Sequence, residues 1–180
     1  MSRWGISGGP LPSGLPYADA IQTAFEEANL SPMFGYAEGS EESIKLEVSG
    51  YLVEAYGAGT TAANVVSTSG GYGLFQLTPS ASGIALPENW QDPLVNARFA
   101  VEHWFNAAAQ GGFPYWTAAP FDFEGTTLIK CVAASFNAGL GGAMRGHEEG
   151  DVDTYTENGN YGQRVVDAYL KLITGKVPWA

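Results

Sequence analysis

Gly71-Tyr72-Gly73-Leu74-Phe75-Gln76-Leu77-Thr78-Pro79 and Ala133-Ala134-Ser135-Phe136-Asn137-Ala138-Gly139 are two short strings of small, aromatic and amide residues. Side-chain amides offer donor and acceptor together, so Gln76 and Asn137 suit a ligand rich in hydroxyl and N-acetyl groups. An isolated Gln or Asn serves equally as a turn or helix cap. What surrounds the two strings decides between these readings.

Working outward, the pattern is predominantly helical. Ala20, Ile21, Ala24 and Phe25 carry helical spacing within Tyr17 to Asn29. Ser31 reads as an N-cap and Pro32 as the first residue of a second helix, expected to run to about Ser43. Asp92-Pro93 opens another, with Leu94, Ala97, Ala100, Val101 and Trp104 on its apolar face and Gly111-Gly112 closing it. Leu128 to Phe136 is a continuously apolar segment within Gly125 to Ala138 and reads as the central buried helix. Arg145 to Gly159 is acidic and reads as a loop, and Val165, Val166, Tyr169 and Leu172 define a last amphipathic helix from Tyr161 to Ile173. Residues 44–70 fit two patterns: Ile44, Val48, Tyr51, Leu52 and Ala55 a helix, or Ile44, Leu46 and Val48 with Ser49-Gly50 a hairpin strand. The fold class is therefore mainly α, one domain over 16–180, with a small β-hairpin or loop lobe at about 44–72. A Gly/Pro/Ser-rich extended arm precedes it over 1–15.

Composition excludes several function classes. A chain of 180 residues with 45% hydrophobic content is long enough for one substantial core. Net charge is −11 with only eight basic residues, which argues against nucleic-acid binding. Cys131 is the single cysteine and lies in an apolar segment, so neither a disulfide framework nor a cysteine-based zinc site is open to it. His103 and His147 are far apart, and Glu148, Glu149, Asp151 and Asp153 lack the spacing of a calcium loop; no metal or other cofactor is expected. No apolar run spans a membrane and no secretory signal is seen at the N-terminus.

The order of the motifs resembles the soluble lytic transglycosylase branch of the lysozyme superfamily, close to goose-type lysozymes. The residues that carry the resemblance are Pro32, Ala37 and Glu42-Ser43, then Gly73-Leu74-Phe75-Gln76 and Asp92-Pro93 with Asn96-Ala97. Ser135-Phe136-Asn137-Ala138-Gly139 and Tyr161-Gly162-Gln163-Arg164-Val165 follow, so the likeness covers about 17–175. It implies a lysozyme-like fold that cleaves peptidoglycan glycan strands without a cofactor. Such a chain is expected in a phage virion, beside other virion or tail proteins, or as a lysin released to the cell wall.

Glycoside cleavage needs a carboxylic acid of raised pKa to protonate the leaving oxygen. In the branch this chain resembles, one glutamate is acid and then base, the muramyl 6-hydroxyl attacking to give a 1,6-anhydro end. Glu42 is the first candidate, and Glu54, after the more apolar Leu52-Val53, is the second. The competing expectation is that Glu38, Glu41 and Glu42 form a solvated acidic face. By resemblance Gln76 lies at the cleavage subsite, Asn137 near the acid, Phe136 in the pocket wall and Tyr161 beside the acid. Tyr72 lines the groove and Ser43 orients Glu42. Goose-type hydrolases place an Asp shortly after the Gln, where this chain has Thr78, which favours transglycosylation over hydrolysis. The polar surroundings of Glu42 and the Phe at 136 keep open an inert glycan-binding or structural virion module.

Overall fold

Cap chemistry starts the helix on which the site is built. The Ser31 hydroxyl accepts from the Phe34 amide at 3.2 Å and Pro32 takes the first helical position. The computed structural model describes residues 3–79 and 83–180; Ser80 and Ala81, into which Pro79 leads, lie outside the described residues. Helix α1 (Ala18–Glu27) packs on α2 (Pro32–Gly39), and Gly35 lets them approach: a Cβ there would lie 2.5 Å from a Phe25 ring carbon. The chain does not leave helix at Ser43. It passes through a π turn (Ser40–Ile44), in which the Lys45 amide reaches back to the Ser40 carbonyl, into α3 (Lys45–Val48).

Residues 44–72 do not form a hairpin. Gly50, at φ 82°, turns the chain from α3 into α4 (Tyr51–Tyr56), and a loop follows with isolated bridges pairing Val66 with Tyr72 and Tyr72 with Leu77. Alternation fails as a guide here because Ile44 is buried, Leu46 half-buried and Val48 exposed, a gradient along a helix and not two faces of a strand. Helix accounts for 54% of the chain and strand for 3%, so the fold is mainly α.

Asp92 caps α5 (Pro93–Ala100) by accepting from the Leu94 and Val95 amides. A second π turn (Val101–Phe105) ends it before Gly111-Gly112; at Gly112 a Cβ would lie 2.3 Å from the Trp104 carbonyl oxygen. A short α6 (Phe113–Trp116) leads to α7 (Gly125–Glu148), which runs further into the acidic segment than its composition predicts. Gly139, at φ 73° and ψ 158°, interrupts α7 just after Phe136-Asn137-Ala138. The last helix, α8 (Tyr161–Ile173), buries the predicted Val165, Val166, Tyr169 and Leu172 against α7 and α2.

Phe25, Phe34, Phe75, Phe105 and Phe113 interlock at the centre, ring centroids 4.9–6.1 Å apart and mostly edge-to-face or tilted. Phe75 brings the 71–79 string into this cluster, which is why residues 71–78 are fixed although they carry only isolated bridges. Residues 3–15 of the arm form no helix, but Ile6, Leu11 and Leu15 are buried and the Ser7 amide donates to the Tyr169 hydroxyl at 2.7 Å. It is a strap on the body. Among the described residues no helix is long and apolar enough to cross a membrane.

Candidate active site

The two strings face each other across one cleft. Its volume is about 790 Å³, and its walls include Gln76 and Thr78 from the first string and Phe136, Asn137 and Gly139 from the second. Glu41, Glu42, Lys45, Tyr161, Arg164 and Glu157 close the acidic side, and Trp104 adds a second ring. The apolar pocket under the N-terminal strap, lined by Arg3, Trp4 and Phe113, is smaller and holds none of these groups.

Glu42 sits in the π turn. Such a turn inserts one residue into the helical register and is common where a side chain must be re-aimed. Both Glu42 and Glu38 thereby contact the same partner: the Tyr161 hydroxyl is 2.9 Å from Glu38 Oε1 and donates to Glu42 Oε1 in a short hydrogen bond. The expected solvated acidic face is overturned for both. Glu38 is 0% exposed and Glu42 is half-buried at the cleft wall. Burial pushes the Glu42 carboxyl up to about 7, opposed by the Tyr161 hydrogen bond, while the charges of Glu157 and Glu41 raise it further and Arg164 draws it down. Burial holds Glu38 well above the usual carboxylate range, with the Glu42 charge adding to it.

Tyr161 is brought there by a buried carboxylate on the loop before α8. Asp153 accepts from the Gly162 amide at 2.7 Å and the Gln163 amide at 2.9 Å, filling the N-terminal donors of α8 with negative charge. Gly162 has no room for a side chain, since a Cβ would lie 2.6 Å from the Lys130 carbonyl oxygen. That contact seats the start of α8 directly on α7.

The other carboxylates on the cleft are matched by cations. Glu41 pairs with Lys45 and with Arg164, and Glu157 pairs with Arg164 at 2.8 Å. Among the described residues, Glu42 alone of the three lining carboxyls has a phenol and no ion pair.

Gln76 is held in place, not loose. It adopts φ 45°, its amide donates to the Gly73 carbonyl at 2.8 Å, and its side chain packs where Gly71 leaves no Cβ. Asn96, buried in α5, accepts from the Phe75 amide at 3.0 Å and donates to the Tyr72 and Trp90 carbonyls, tying the string to the helix bundle. Asn137 is exposed on the cleft and accepts from the Glu157 amide at 2.8 Å. Phe136 is half-buried, stacked on Phe105 at 5.0 Å and edge-on to Trp104 at 6.0 Å, so it does form wall.

Three expectations need correction. Glu54 is exposed on α4 and does not line the cleft, because only Leu52 of that helix is buried and Glu54 lies on its outer side. Ser43 does not orient Glu42: it is 1% exposed and donates to the Leu74 carbonyl at 2.7 Å, locking the π turn to the first string. Tyr72 does not line the cleft either; it packs edge-on against Trp90 at 5.2 Å.

Glu38 and Arg164 belong to the site although the sequence reading assigns them no role in it. The four-residue spacing of Glu38 and Glu42 on one helix was the available signal for the first. Cys131 is buried as expected, its thiol pushed up to about 12 chiefly by that burial. The described residues hold no cluster of His, Cys, Asp and Glu fit for a metal ion. The chain matches no protein-family model, no curated protein and no solved structure.

Proposed function

We propose that the chain is a lysozyme-like lytic transglycosylase that cleaves the β-1,4 bond between N-acetylmuramic acid and N-acetylglucosamine in peptidoglycan, with Glu42 as acid and then base. One observation carries this reading: Glu42 is the cleft carboxyl without a cation, buried enough to titrate at about 7, and hydrogen-bonded by Tyr161. A carboxylic acid of that kind is protonated on encounter with substrate and still ionises readily, which acid–base work near neutrality requires.

In this mechanism Glu42 gives its proton to the glycosidic oxygen as the C1–O bond breaks, and the bonding pair leaves with that oxygen. The Glu42 carboxylate, steadied by the Tyr161 hydroxyl, then takes the proton of the muramyl 6-hydroxyl while that oxygen bonds to C1. The ring closes to a 1,6-anhydro end, no water is consumed, and Glu42 is again protonated. Gln76 and Asn137 offer amides to sugar hydroxyl and N-acetyl groups, and Phe136 with Trp104 offers an apolar wall to the ring faces. Thr78 supports transglycosylation over hydrolysis. It lines the cleft beside Gln76 with its hydroxyl on the Gln76 carbonyl at 3.2 Å, where a goose-type hydrolase would carry a carboxylate.

Incubation with purified peptidoglycan and mass analysis of the released muropeptides tests the reading. Products lighter by one water than hydrolytic ones are expected from the parent and are expected to vanish in E42Q. Hydrolytic ends would assign a lysozyme, and no release at all would leave a binding module.

A further inference from the structure

Tyr161 has one hydroxyl proton and two carboxyls to share it with. Its oxygen lies 2.9 Å from Glu38 Oε1 and is also hydrogen-bonded to Glu42 Oε1. A phenol that donates to one of them must accept from the other, so one glutamate carries a proton on the side facing Tyr161. The surroundings choose which. Glu38 is 0% exposed, forms no ion pair among the described residues, and its Oε2 has no hydrogen-bond partner. An ionised carboxylate there would be an uncompensated buried charge with one bare oxygen, whereas a neutral acid leaves only a carbonyl-like oxygen unpaired. Glu42 reaches the cleft and its solvent.

We infer that Glu38 is a protonated positioning residue: it donates to the Tyr161 oxygen, turns the Tyr161 proton onto Glu42 Oε1, and so leaves the second Glu42 oxygen for the substrate. The inference rests on the reading of Glu42 as the acid. Glu38 stays protonated throughout the cycle, and its hydrogen bond makes Tyr161 the better donor when Glu42 becomes a carboxylate. The charged and titratable groups around the array are Glu41 and Lys45 from the same helical run, Tyr161 and Arg164 from α8, and Glu157 from the loop before it. Since Glu41 and Glu157 are paired with cations, the Glu38–Tyr161–Glu42 contact is the one whose proton count is set by burial. Burial raises the Tyr161 phenol well above its ordinary range, which agrees with a hydroxyl that keeps its proton.

Carboxyl carbon NMR on protein labelled with 13C-glutamate reads each side chain with no substrate present, the Glu38 signal being the one absent from E38Q. In the parent protein the Glu38 signal is expected at the protonated position from about pH 5 to about pH 8, while Glu42 moves to the carboxylate position. A Glu38 signal at the carboxylate position in that range overturns the inference. Turnover of peptidoglycan supplies the second arm. E38M keeps bulk but has no donor, and is expected to lower kcat by about tenfold, the worth of one good hydrogen bond, with KM within about twofold. E38Q restores an N–H donor and is expected to recover kcat to within about threefold of the parent. E38M equal to the parent, or E38Q as impaired as E38M, would also overturn it. If the parent cleaves nothing, the transglycosylase reading fails on that result alone, and the NMR titration, which needs no variant that folds poorly, still decides the state of Glu38.

Discussion

Glu42 and Glu54 stand on successive helical segments of one chain and meet opposite fates. Glu54 follows the more apolar sequence, yet Tyr51, Val53, Glu54 and Tyr56 are all exposed and α4 is held to the body by Leu52. Glu42 lies in Glu38-Gly39-Ser40-Glu41-Glu42-Ser43, a polar run that reads as a wet surface, yet that run is enclosed. The difference is supplied from far along the chain: the Tyr161 hydroxyl that joins Glu38 and Glu42 is 119 positions from Glu42. Local apolarity reports what a segment has to bury. It does not report what will come to cover it.

The largest test of this comparison is a pair of substitutions. E42Q is expected to cut peptidoglycan clearance by about 10²–10⁴-fold, the usual worth of a positioned acid, while E54Q stays within about twofold. A turbidity assay with both variants side by side would invert the comparison if E54Q were the inactive one.

A stability titration sharpens the same contrast. The Glu42 carboxyl, raised from 4.5 to about 7 in the folded protein, binds more protons folded than unfolded between those values. Its contribution is therefore fully present below the unfolded value and is lost as pH rises through the folded one. At pH 8, E42Q is expected to be more stable than the parent by on the order of 3 kcal/mol, with the gap closing toward pH 4.5. Glu38 acts with the same sign, so E42Q still loses part of its stability as pH rises. E54Q is expected to move stability by no more than about 0.5 kcal/mol, as exposed substitutions do. Urea unfolding at the two pH values reads all three, and a parent that gains stability as pH rises from 4.5 to 7 would contradict a buried protonated Glu42.

The smallest effect concerns how the two helical segments begin. Ser31 caps α2 through its side chain, whereas α4 starts after Gly50 with no side-chain cap. S31A is expected to cost about 1 kcal/mol. Gly50→Asn, at a left-handed position that Asn tolerates, is expected to change stability by about 0.5 kcal/mol or less. Thermal melts of the two would show whether the Glu42 run is the more tightly anchored.

Much of the scaffold was legible because its signals are local. Ser31-Pro32 and Asp92-Pro93 set helix starts through hydrogen bonds spanning a few residues, and Val165, Val166, Tyr169 and Leu172 mark a buried face by period alone. The two strings and the start of the last helix also pointed to Gln76, Phe136, Asn137 and Tyr161, all of which line one cleft. Ser43 and Tyr72 were drawn too far into that cleft. They lie within a residue or two of it, and adjacency in sequence does not say which way a side chain turns once a π turn or a bridge sets the register.

By itself, then, the sequence determined a mainly helical chain, its helix starts, its last amphipathic face and the two strings that border a cleft, because caps and periodicity act between near neighbours. The tertiary structure alone decided that Glu38 and Glu42 share one phenol, that Glu54 stays in water, and that Lys45–Val48 and Tyr51–Tyr56 are helical where the pattern allowed a strand. Burial of a charge depends on what packs over it, and for Glu42 the cover arrives on α8, seated there by Asp153 and by the absence of a side chain at Gly162.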